Sequence, residues 1–149
     1  MNRRALILGI CTALAPATLS SPPAFAALPE VTVWRDPSCG CCEGWVTHMR
    51  NHGFRVKVIA AQDLSAVKAR NGIPDALQSC HTATVGGYVL EGHVPAPTVA
   101  RLLAERPRAK GLAVPGMPLS SPGMDAGDDH YDVILFGLPG GGTSVFESR

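Results

Sequence analysis

Three cysteines within four residues, Cys39-Gly40-Cys41-Cys42, constrain this chain more than any other feature of it. They follow Val31-Thr32-Val33-Trp34, which alternates β-branched and aromatic residues as a strand does. They precede a stretch whose apolar positions Cys42, Trp45, Val46 and Met49 recur at helical spacing. Asp36-Pro37-Ser38 supplies the turn between the two. The thiols are thus placed where a strand ends and a helix begins. There, free N–H groups and the positive end of the helix dipole favour thiolate over thiol. Bridges inside so tight a cluster are poor structural staples. A Cys41–Cys42 bond would be strained, and a Cys39–Cys42 bond would close a very short loop and stabilise little through loop entropy. The clustering points to a reactive or metal-binding thiol site.

Export bears on the same cysteines. Arg3-Arg4, the apolar run from Ala5 to Ala15 and a Pro/Ser-rich stretch closing on Ala24-Phe25-Ala26 are the three parts of a secretory signal peptide. We expect residues 1–26 to be removed after Ala26, leaving 27–149 to work in the periplasm. The apolar run falls short of the ~20 residues that a permanent span requires, so no stable membrane anchor is expected. The arginine pair hints at a twin-arginine signal, and Leu8-Gly9-Ile10-Cys11 is a faint lipoprotein-like pattern with its cysteine too early in the run. Cys11 leaves with the leader, while Cys39, Cys41, Cys42 and Cys80 remain. Loss of Arg3 and Arg4 takes the formal net charge from +1 to −1, which leaves no electrostatic footprint for nucleic acid or anionic lipid. With 149 residues and 46% of them hydrophobic, the chain suffices for one ordinary domain and a buried core.

The remaining chain reads as an alternation of elements. A helix is predicted from Glu43 to about His52, with Gly53 as its C-cap, and a strand over Phe54–Ala60. Asp63 is placed to N-cap a second helix, about Leu64–Arg70, which Asn71-Gly72 stops. Thr82–Val85 and Tyr88–Glu91 form a hairpin across Gly86-Gly87, and a helix follows over about Pro97–Glu105. Gly111 to Asp129 is rich in Pro, Gly and Ser without a period and reads as loop. Tyr131–Phe136 and Thr143–Phe146 make a terminal pair of strands. The order β-α-β-α-β-β-α, with cysteines directly after strand one, is that of the thioredoxin-like fold, here with an extra C-terminal β-hairpin.

Soft thiolates suit Cu(I), Zn(II) or Fe–S centres. With a helix beginning near Gly40, Cys39 and Cys42 approach one another and Cys41 points about 100° away. A mononuclear site would not use all three thiols without irregular backbone. A polynuclear Cu(I)–thiolate centre, whose sulfurs bridge metals, would use the third naturally. The plainer alternative is a CxxC redox pair with Cys41 as bystander. Ser79-Cys80-His81-Thr82 precedes the third strand, in the loop that faces the CxxC in thioredoxin-like folds and usually carries a cis-proline. Here a thiol and an imidazole take its place, which makes Cys80 a candidate ligand and His81 a further one. His93 reads as a structural or solvated histidine. His48 and His52 have a chelating spacing but lie among polar positions of an exposed helix face. Met117 and Met124, in the loop, are soft thioether donors that a flexible segment could bring over the site, although filling gaps beneath the loop is their ordinary use.

Together these motifs resemble a family of small exported bacterial proteins, long catalogued as a domain of unknown function and found with copper-resistance systems as the CopG-type periplasmic protein. The resemblance rests on Cys39-Gly40-Cys41-Cys42, Gly53-Phe54, Ile73-Pro74, Ser79-Cys80-His81-Thr82-Ala83 and Gly87-Tyr88. It extends over Glu91-Gly92-His93-Val94-Pro95-Ala96, Gly111 to Pro118 and Ser121-Pro122-Gly123-Met124. It implies a thioredoxin-like fold and copper binding by Cys39, Cys41, Cys42 and Cys80. Leu119 stands where family members often carry glycine.

The expected function is that of a periplasmic protein that sequesters or transfers Cu(I) in copper resistance, with copper and other periplasmic copper-resistance proteins as partners. A thiol-disulfide or copper oxidoreductase using Cys39 and Cys42, Cys39 being the nucleophile, is the alternative. A zinc-stabilised structural module ranks third and predicts unfolding on chelation.

Overall fold

A computed structural model describes residues 27–149. The expected signal peptide, residues 1–26, lies outside the described residues, as does Cys11. The chain forms β1 (Val31–Arg35), α1 (Gly40–Asn51), β2 (Val56–Ala60), α2 (Leu64–Arg70), a 3-10 turn (Asp75–Leu77), β3 (His81–Val85), β4 (Tyr88–Glu91), α3 (Ala96–Glu105), β5 (Gly111–Ala113), β6 (Asp132–Phe136) and β7 (Thr143–Ser148).

All seven strands belong to one sheet in the order β2-β1-β3-β4-β5-β6-β7. Strands β1 and β2 are parallel, β3 runs antiparallel to β1, and β4 runs antiparallel to β3. This is the thioredoxin-like core, extended on the β4 side by β5 and the terminal hairpin. The period-2 alternation of the strands divides their apolar residues between two faces. Val31, Val33, Ala83, Val85, Leu90, Leu112, Val133 and Leu135 pack with Trp45, Val46 and Met49 of α1 and with Val99 and Leu102 of α3. Val89, Ala113 and Phe136 turn the other way and meet Ile73 and Leu77.

Local chemistry explains the element ends. Asp63 Oδ1 accepts the Ala66 N–H at 3.0 Å and caps α2 as expected. Gly86 and Gly87 both take positive φ, 55° and 91°, which a primed two-residue hairpin requires. The segment expected to be loop from Gly111 onward opens instead with β5, which pairs parallel with β4 and antiparallel with β6. Three residues buried on both faces are too short to display a period, and only Gly111 lacks the Cβ that would collide with the Val89 backbone.

Register decides where the site lies. Arg35 at the end of β1 pairs with His81 at the start of β3, and Thr82 pairs with Glu91 at the end of β4. Glu91 in turn pairs with Ala113, the last residue of β5. The segments carrying Cys39–Cys42, Cys80, His93 and residues 114–124 therefore all leave the sheet at the same end.

Candidate metal centre

The turn into α1 is organised by two charged residues. The Arg35 guanidinium donates to the carbonyls of Asp36, Pro37 and Cys39 at 3.0, 3.2 and 3.4 Å, and pairs with Glu43. Asp36 Oδ1 accepts from the Ser38 hydroxyl and the Ser38 N–H at 2.5 and 2.7 Å, bonds that hold its carboxyl below the usual carboxylate range. The helix starts at Gly40, earlier than the predicted Glu43, so Cys41 and Cys42 lie in its first turn. Cys39 is the N-cap, its sulfur accepting the Cys42 N–H at 3.3 Å.

Cys39 and Cys42 are joined by a disulfide, and Cys41 and Cys80 are free thiols. The Cys41 sulfur does not point away as expected: it lies 3.5 Å from that of Cys39. Cys39 has extended backbone angles, φ −75° and ψ 99°, so the helical 100° step does not apply between it and Cys41. The sulfurs of Cys39, Cys41, Cys42 and Cys80 all lie within 4.8 Å of one another.

A second group of donors shares Cys80. Its sulfur is 3.4 Å from His81 Nδ1 and 3.0 Å from His93 Nε2. Both imidazoles are fully buried. His81 lies against Trp45 with ring centroids 4.4 Å apart and ring planes tilted by 45°, and its Nε2 is a buried nitrogen without a hydrogen-bond partner. His93, read from sequence as structural or solvated, is instead part of the cluster. Its Nδ1 is 3.1 Å from the Ser121 hydroxyl, which donates its one hydrogen to the Pro118 carbonyl at 2.6 Å. Nδ1 must therefore carry the ring proton, and the Nε2 lone pair faces Cys80.

Burial sets the protonation of this group. It pushes the Cys80 thiol up to about 12, with the charge of Cys41 adding to the effect. It pushes His93 down to about 4 and His81 well below its ordinary value, the latter also through the charges of His93, Lys68 and Arg35. The helix-dipole argument for thiolate does not reach Cys80, which lies before a strand. Without metal, Cys80 is a thiol and both imidazoles are neutral at pH 7.

A stability consequence follows. An unfolded histidine takes up a proton near pH 6.5, while His93 resists it until about pH 4 and His81 is likewise held well below its ordinary value. The unfolded state then binds more protons, so the metal-free protein should lose stability as pH falls below 6.5, by about 1.4 kcal/mol per pH unit for each histidine. Denaturant titrations at pH 7, 6 and 5 check this. A flat profile would show that the imidazoles are not buried and neutral.

The remaining candidates lie at the margin. Met117 is 53% exposed, and Met124 is half-buried. Each adjoins a residue that touches the site loops. The Gly116 carbonyl accepts from the Ser79 hydroxyl, and Gly123 packs so closely on α1 that an added Cβ would stand 2.5 Å from the Cys41 carbonyl and the Trp45 nitrogen. His48 and His52 each have one ring nitrogen engaged by backbone: His48 Nε2 accepts the Ala96 N–H at 3.0 Å at the start of α3, and His52 Nδ1 lies 2.8 Å from the His48 carbonyl. No helix among the described residues is long and apolar enough to cross a membrane.

Comparisons with known proteins agree with this geometry. The family described as "Protein of unknown function, DUF411" matches residues 77–124, the segment holding Cys80, His81, His93 and both methionines. No curated protein matches the chain. Two solved structures, titled "Copper resistance protein copG- Form 2" and "Form 1", superpose with TM-scores of 0.77 and 0.76. Each is 43% identical in sequence, over 82% of this chain and 98% of the other. Identity at that level over nearly the whole of the copper resistance protein shows that this chain belongs to the CopG family.

Proposed function

We propose that the protein binds Cu(I) as cargo through Cys39, Cys41, Cys42 and Cys80 and sequesters it or hands it on in the periplasm, after loss of residues 1–26. The supporting observation is the convergence of four sulfurs within 4.8 Å of one another. Thiolates are soft donors that favour Cu(I), and sulfurs so close can bridge more than one ion. The His93 Nε2 lone pair, 3.0 Å from the Cys80 sulfur, offers an additional neutral donor. Four thiols require that the Cys39–Cys42 disulfide first take up two electrons and two protons, as from a dithiol reductant. His81, Met117 and Met124 are auxiliary donors in this reading.

Anaerobic titration of the reduced protein with Cu(I) against a competing chelator tests the proposal. Tight binding is expected, with thiolate-to-copper absorption, and a Cys39→Ser/Cys42→Ser variant should bind about a hundredfold more weakly or worse, since even residues that only support metal ligands are worth ten- to a hundredfold. Weak binding that the double substitution leaves unchanged would end the proposal.

The disulfide favours one other reading. Cys39 and Cys42 occupy the position of a thioredoxin-like redox pair, and Cys42 is fully buried while Cys39 is half-exposed. As an oxidoreductase, the pair, once reduced by a dithiol, would pass two electrons and two protons to a disulfide substrate, with the Cys39 thiolate attacking to form a mixed disulfide that Cys42 resolves. Turnover of a disulfide substrate by the metal-free protein, retained in Cys80→Ser, would select this reading over copper binding.

A further inference from the structure

Beneath the sulfurs, on the α2 side of the sheet, lies a buried charged network. Lys68 on α2 is 6% exposed, and Thr82 and Glu91 are fully buried. Lys68 Nζ donates to Glu91 Oε1 at 2.5 Å and to Thr82 Oγ1 at 3.2 Å, and the Thr82 hydroxyl donates to Glu91 Oε2 at 2.7 Å. The fourth contact leaves the sheet: the backbone N–H of Ser79 donates to Glu91 Oε1 at 2.6 Å.

The position of that contact matters because the β3 ladder begins at His81. Ser79 and Cys80 are the first residues beyond it, and strand pairing does not hold them. Gly92, at φ +70°, leaves the space that lets Ser79 approach, since a Cβ there would stand 2.6 Å from the Ser79 hydroxyl oxygen. A buried ion pair is weak evidence of a stability role, because well-packed apolar residues of similar size often serve a fold as well. What apolar residues cannot do is accept the Ser79 N–H.

We propose that Glu91 is a positioning residue for Cys80: its carboxylate, held by Lys68 and Thr82, fixes the Ser79 N–H and thereby keeps the Cys80 sulfur among those of Cys39, Cys41 and Cys42. The importance of that placement rests on the reading of the four thiols as one copper site.

Two paired substitutions separate positioning from stability. Glu91→Leu/Lys68→Met removes both charges and the acceptor, whereas Glu91→Gln/Lys68→Met removes both charges but keeps a side-chain carbonyl for Ser79. In the copper-free, disulfide-intact protein, iodoacetamide labelling mapped by peptide mass reads the rate at Cys80 relative to Cys41. The leucine pair should raise that ratio about tenfold or more and weaken Cu(I) binding by a similar factor, and the glutamine pair should restore both to within about threefold. A global loss of structure would also carry the ratio toward one but would abolish the cooperative denaturant transition, whereas displacement of Cys80 alone raises the ratio and leaves that transition in place. A leucine pair that folds with its ratio and Cu(I) affinity unchanged overturns the proposal. Hydrogen exchange on the unaltered protein provides a measurement that needs no variant: the Ser79 amide should be protected relative to that of Cys80, and equal exchange would also overturn it. If the unaltered protein takes no Cu(I) while the labelling ratio still shifts, the copper reading fails and the positioning of the sulfur stands.

Discussion

Trp45→Ala should be the most damaging single substitution in the chain, lowering stability by about 3–5 kcal/mol in chemical denaturation. Trp45 is fully buried in the core cluster that also holds Val31, Val33, Leu90 and Leu112. Its indole N–H donates to the Val94 carbonyl at 2.8 Å and its ring lies on His81. Deleting it opens a cavity, orphans that carbonyl and removes the support beneath one imidazole of the cluster. Trp45→Phe refills most of the cavity and orphans only the carbonyl, so its cost should be nearer 1–3 kcal/mol. A loss below about 1 kcal/mol for the alanine variant would mean that α1 is not seated on the sheet as described.

Cys80→Ser should do the opposite, sparing the fold and injuring the site. Oxygen for sulfur is a small change at a half-buried position outside the strand ladder, so stability should move by no more than about 1 kcal/mol. Serine is a hard, weakly acidic donor and does not replace a bridging thiolate for Cu(I). The affinity of the reduced protein should fall about a hundredfold or more, beyond the usual effect of residues that merely support a ligand. An unchanged affinity would show that copper is held by the α1 cysteines alone, and the shared four-sulfur site would be lost.

The legible part of this molecule was whatever local chemistry dictates. Alternation in Val31–Trp34, the Asp63 cap and the Gly86-Gly87 turn each imposed an element that the structure contains. The opposition of Cys80 to the α1 cysteines was legible because the thioredoxin-like arrangement runs β3 antiparallel to β1, so β3 begins at the end of the sheet from which the first helix departs. The same logic would have found His93. Once Gly86-Gly87 is accepted as a two-residue turn, Thr82 must face Glu91, and residues 80 and 93 then emerge side by side. Treating His93 as an isolated histidine discarded that information. Strand β5 left no such trace, since three residues beside a proline-rich run carry no period. Nor could the sequence show that the Ser121 hydroxyl decides which nitrogen of His93 holds its hydrogen, because that contact joins segments 28 residues apart.

The placement of β5 also governs the segment from Val114 to Tyr131. Because β5 and β6 are adjacent and antiparallel, this excursion departs from and returns to one rim of the sheet, and Asp129 ties it across to the N–H groups of Leu119 and Ser120 at 3.1 and 2.8 Å. Its two ends are already pinned together, so the entropy of closing it grows only logarithmically with its length. Residues can thus be gained or lost within this hem while the strands on either side keep their pairing. The exceptions are Ser121 and Gly123, whose contacts with His93 and α1 fix their places within it.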